Sequence, residues 1–68
     1  MQYKHLQAKP RVVVNLLSGT SVSGVVISTR GPLITLKSAY IHEDGQESMP
    51  ADGEIAIDKS NIDFIQAL

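Results

Sequence analysis

The chain has 68 residues, no cysteine and a formal net charge of −1 at neutral pH. Disulfides, Cys-based zinc sites and Cys nucleophiles are therefore excluded, and a chain this small buries only about 60% of its unfolded surface, so its thin core needs idealised packing or partners. No apolar run reaches the roughly 18 residues of a membrane span, and no signal-peptide pattern opens the sequence; one soluble, cytoplasmic domain over residues 1–68 is expected, with no membrane contact.

Residues 1–10 form an N-terminal arm that could hold one short helical turn, which Pro10 stops. β-Branched residues dominate the rest of the chain and come in short runs rather than at helical spacing. A first strand is expected over Arg11–Leu17, ended by the turn chemistry of Ser18-Gly19-Thr20. A second runs from Thr20 to about Thr29, where Gly24 marks a bend, a bulge or a close backbone approach. Arg30-Gly31-Pro32 makes the next turn, and a third strand covers Leu33–His42. Residues 42–53 are polar and acidic and read as a loop. A fourth strand, Glu54–Asp58, alternates, with Ile55 and Ile57 facing one way. After a tight Lys59-Ser60 connection, Asn61 to about Ala67 is the fifth. The expected architecture is all-β: a small five-stranded, strongly bent antiparallel barrel over residues 11–67.

Two patterns exceed what one small barrel can bury. Val12-Val13-Val14 with Leu16-Leu17, and Val25-Val26-Ile27, place apolar side chains on both faces of a strand, as do Ile62, Phe64 and Ile65. An open barrel also leaves edge strands that natural proteins cover or close. Both features predict oligomerisation through strand edges.

The spacing Val14-x-Leu16-x-x-Gly19-x-x-Val22-x-Gly24, with Leu36 and Ala39 beyond it, resembles the first conserved segment of the Sm and Sm-like (LSm) proteins. Ile57-Asp58-Lys59-Ser60-Asn61-Ile62-Asp63-Phe64-Ile65 resembles their second. The two segments occur in order over residues 12–65, with a polar loop between them. The resemblance implies an Sm-like (SH3-like) barrel that assembles into a homo-oligomeric ring, the fourth strand of one subunit pairing with the fifth of the next. Ile55, Ile57, Ile62, Phe64 and Ile65 are then the candidate interface residues. A short chain of this kind looks like a prokaryotic or viral member of the family.

The family's usual activity, binding single-stranded, often uridine-rich RNA at the pore, is implied as well. Its base-reading residues are not matched. Thr29-Arg30-Gly31-Pro32-Leu33-Ile34 has neither the usual Asp nor the usual Asn, and Asp58 and Lys59 stand where an Arg-Gly pair is usual. The resemblance thus carries the scaffold but not the uridine pocket. The expected function is an RNA-binding ring with altered or weakened base recognition; the alternative is a structural or adaptor ring whose acidic loop docks a protein partner.

Arg30 and Lys59 are the cations of the two pore loops, with Asn61 beside them. Repeated around a ring they would form a basic collar suited to phosphates. Equally, Asp58 could neutralise Lys59 and leave Arg30 a solvated turn residue. Asn61 suits a bond to the backbone of its own turn. Lys4 and Arg11 are further candidate RNA contacts, because residues 1–41 carry a net +5 and residues 42–68 a net −6. In an Sm-like ring this split implies one basic face, with Lys4, Lys9 and Arg11, and an opposite acidic face formed by residues 43–54.

Other chemistry finds little support. His5 and His42 have no further ligand at metal spacing and read as solvated histidines. Glu43-Asp44-x-x-Glu47 lacks the ligand spacing of a calcium loop. No serine sits in a nucleophile context, so no enzyme, metal or cofactor is expected. Tyr3-Lys4-His5-Leu6 is similar to a string of the bacterial RNA chaperone Hfq but precedes the first strand, whereas the Hfq string lies between the last two. A close Hfq relative is not indicated. Tyr3 and Tyr40 could stack on bases, although packing is the commoner use of such residues.

Overall fold

A computed structural model describes Gln7, Ala8 and residues 10–68. The strands are β1 (Val12–Leu16), β2 (Ser21–Ser28), β3 (Leu33–His42), β4 (Met49–Pro50), β5 (Ile55–Asp58) and β6 (Ile62–Ala67), and a 3-10 turn (Lys59–Asn61) joins the last two. The helical turn expected within residues 1–10 falls largely outside the described residues. No helix among the described residues is long and apolar enough to cross a membrane.

All pairings are antiparallel. The order is β4-β3-β2-β1-β6, with β5 also on β3. Ten-residue β3 serves both short strands along one edge: Leu33–Leu36 pair with β5, and Tyr40 and Ile41 with β4. Among the described residues the sheet is therefore six-stranded, one strand more than expected, and no ladder closes it into a barrel. β4 lies inside the segment read as a loop; two residues, one of them Pro50, carry no alternation to detect. Proline is tolerated there because an edge strand needs no inward donor at every residue.

The sheet is nonetheless strongly coiled, by a simple geometric argument. Five strands side by side span about 19 Å at ordinary strand spacing. The connection from β5, at one edge, to β6, at the other, is three residues long. Three residues reach at most about 11 Å, so a flat sheet cannot accommodate that connection. Backbone bonds fix the approach of the edges: Lys59 N–H donates to the Pro32 carbonyl at 2.8 Å and Leu17 N–H to the Asn61 carbonyl at 2.9 Å.

Two glycines shape the bend. Gly19, at φ 96°, ends a three-residue hairpin loop in which its N–H donates to the Leu16 carbonyl at 3.0 Å. That left-handed conformation is the one such loops require. Gly24 is buried, and the register of β2 against β3 slips there, with Ser38 and Ala39 of β3 opposite the single Gly24. The close approach expected at Gly24 is present: a Cβ would lie 3.0 Å from the Lys37 carbonyl oxygen. Ser38 takes the strain of the bulge, at φ 51°.

The concave side holds the core: Val12, Val14, Val22, Val26, Ile34, Leu36, Ala39 and Ile57 are buried, with Leu16, Ile41, Ala51, Ile55, Ile62 and Ile65 packed against them. Alternation along β1 and β2 sends Val13 and Val25 to the opposite face, where both remain half-buried.

Candidate nucleic-acid interface

Two segments meet at one corner of the sheet: the β2–β3 turn, Thr29–Pro32, and the 3-10 turn after β5. The short 3-10 turn is set by Asp58, whose Oδ1 accepts from Ser60 N at 2.9 Å and from Ser60 Oγ at 2.8 Å. These bonds, the backbone one first, hold the Asp58 carboxyl below its usual range. The turn in turn aims Lys59. Its backbone N–H reaches the Pro32 carbonyl, and its ammonium donates to the Thr29 carbonyl at 2.5 Å. Lys59 is thus half-buried across the base of the β2–β3 turn.

Arg30 follows Thr29 and its side chain is exposed; its backbone N–H donates to Ser28 Oγ at 3.4 Å. Asn61 is exposed, and its carbonyl is occupied by Leu17. The side-chain cap of the turn comes from Asp58, not from Asn61. Lys59 thus reaches back to the turn that carries Arg30, while Asn61 is held to Leu17; of the two cations, Arg30 is the exposed one.

Arg11 lies elsewhere. Its guanidinium donates to the Ser38 carbonyl at 2.9 Å and to Ser23 Oγ at 3.4 Å, and stands 5.8 Å from the centre of the Tyr40 ring. Lys4 and Lys9, with Tyr3 and His5, lie outside the described residues. His42 is not simply solvated: Nε2 is 3.0 Å from Ser23 Oγ and Nδ1 is 2.6 Å from Ser48 Oγ. This Arg11–Ser23–His42–Ser48 chain was not visible in the sequence, because its members come from the residue before β1, from β2, from β3 and from the following loop. The outward alternation of Ser23 and His42 is the only signal that could have suggested it.

The candidate interface residues divide by depth. Ile57 belongs to the core, Ile55, Ile62 and Ile65 are half-buried against it, and Phe64 is 51% exposed. Along β5 and β6 one edge each carries no strand among the described residues, where β5 pairs with β3 and β6 with β1. Glu43 and Asp44 face the β1–β2 turn across an open notch that Ser18, Gly19 and Thr20 complete. No group of three or more His, Cys, Asp or Glu side chains able to hold a metal occurs among the described residues.

Compared with known proteins, the chain matches no family model and no curated sequence.

Proposed function

We propose that this chain is an Sm-like subunit that assembles in the cytoplasm into a homo-oligomeric ring and binds single-stranded RNA with weak base discrimination. The observation that carries it is the pair of edges on β5 and β6 that carry no strand among the described residues, joined by a turn whose corner also presents Arg30. Pairing β5 of one copy with β6 of the next would satisfy both edges and complete the barrel across subunits. The same pairing would cover Phe64, a large exposed side chain on β6. Each turn corner would then recur around the ring, bringing several Arg30 guanidinium groups together for phosphate contacts. With Lys59 held by Thr29 and no carboxylate–amide pair reading a base edge, affinity should come from the backbone of the RNA and depend steeply on salt.

The adaptor ring remains the second reading, favoured by the burial of Lys59 and the exposed acidic residues of the β3–β4 loop. Fluorescence polarisation with U-rich, A-rich and scrambled RNA, at low and moderate salt, separates the two. Micromolar binding that Arg30→Gln weakens supports the RNA ring. Absence of binding at low salt, in a sample that light scattering shows to be oligomeric, leaves the adaptor. A monomer at micromolar concentration overturns both.

A further inference from the structure

Away from that corner, the convex face of the sheet gathers side chains that suit a nucleic-acid strand. Register places Ser23 opposite Tyr40 and Val25 opposite Lys37, all turned from the core. Tyr40 is 44% exposed and Lys37 is exposed. Arg11 crosses this face and is fixed there by Ser38 and Ser23. The Ser38 carbonyl is open to it because the bulge takes Ser38 out of the ladder with β2. A guanidinium fixed by two hydrogen bonds beside an aromatic ring is already ordered, so a base stacking on it forfeits less side-chain freedom.

We propose that Arg11, Lys37 and Tyr40 form a second contact surface for single-stranded nucleic acid, outside the Arg30 corner. Tyr40 and the Arg11 plane offer stacking surfaces that accept any base, while Lys37 and the free donors of Arg11 address phosphates. Half-buried Val13 and Val25 supply an apolar floor. By register the nearest carboxylate is Glu54, which precedes Ile55 opposite Leu36 and so stands beside Lys37; Asp52 follows Ala51, whose N–H donates to the Ala39 carbonyl, and Asp58 and Glu43 lie farther off at the two ends of β3. An acidic peptide would satisfy the two cations but would give the exposed ring no partner, which favours nucleic acid. The inference takes its ligand class from the proposed RNA binding and stands without ring assembly.

The chain has two tyrosines and no tryptophan, so Tyr3→Phe leaves Tyr40 as the only tyrosine emitter. Adding a U-rich RNA of about ten nucleotides to this variant at low salt should quench Tyr40, since a base stacks on an aromatic ring. Tyr40→Leu should weaken binding by about 5- to 20-fold, and Lys37→Gln should reduce the salt slope by about 0.7 while the fold, followed by circular dichroism, is retained. Arg30→Gln should leave the quench in place. Full affinity in both the Tyr40 and Lys37 variants, with binding lost in Arg30→Gln, overturns the second surface and leaves the corner standing. Capture of a polyglutamate peptide with no response to RNA overturns it in favour of a protein ligand. No RNA binding at low salt overturns surface and corner together.

Discussion

A methyl group on Gly24 would sit 3.0 Å from the Lys37 carbonyl oxygen, 3.2 Å from Leu36 Cβ and 3.4 Å from Ala39 Cα. Two of these atoms are backbone and the third is fixed to it, so no rotamer change can relieve the contact. Gly24→Ala should therefore behave as an overpacking mutation, costing about 1–3 kcal/mol. Gly19 poses a different problem: a Cβ there meets nothing within 4 Å, but φ is 96°. Its alanine variant should cost about 1–2 kcal/mol through the backbone alone. Urea denaturation of both variants checks the mechanism. Gly19→Asn should be less destabilising than Gly19→Ala, because asparagine tolerates left-handed conformations, whereas no residue larger than glycine should rescue position 24. Both glycines could be read from the sequence as special. Ser38 could not, since serine gives no signal for a φ of 51° and only the slip against Gly24 requires it.

Among the elements, the 3-10 turn Lys59–Asn61 has the most consequence for its length, because it carries the chain between opposite edges of the sheet. Its cap is Asp58, and the depressed carboxyl pKa ties the turn to pH. A group whose folded pKa is lowered stabilises the fold above its unfolded pKa, and that contribution is lost as pH falls through the folded value. The turn should thus stay intact through neutral and mildly acidic pH and weaken only below the ordinary carboxylate value of 3.8. In an NMR titration, Ser60→Ala should raise the Asp58 midpoint toward 3.8 without reaching it, since the Ser60 backbone donor, the larger cause, remains. A midpoint unchanged by Ser60→Ala would refute this account of the cap. The strands flanking the turn were legible, their ends lying within a residue of the alternation in Ile55–Asp58 and Ile62–Ala67. The corner was legible only in part. The sequence brings Arg30 and Lys59 to adjacent turns, but a lysine reaching back to a carbonyl thirty residues away leaves no pattern.

At the scale of the whole molecule, eight buried apolar side chains among the described residues make a small core, and Leu17, Met49, Phe64 and Leu68 stand more than half exposed beside it. A subunit so built should gain stability from association, because each open edge adds backbone bonds and each covered apolar side chain adds burial. On the proposed ring, stability is then inseparable from protein concentration: the thermal midpoint should rise as the sample is concentrated from the low to the high micromolar range. Phe64 provides the control. It is paired across from Asn15 on the convex side of β6 and lies outside the core, so Phe64→Lys should leave the subunit folded by circular dichroism. The same substitution should lower the mass measured by light scattering and flatten the concentration dependence of the midpoint, because a buried lysine without a partner is costly at an interface. Ile57→Lys serves as the opposite case, since Ile57 is 5% exposed and part of the core, and it should unfold the subunit itself. If the wild-type midpoint were independent of concentration, the open edges of β5 and β6 would have to be tolerated by the monomer. The short length of β5 and the charges of Asp58 and Asp63 would then be the features that keep those edges apart.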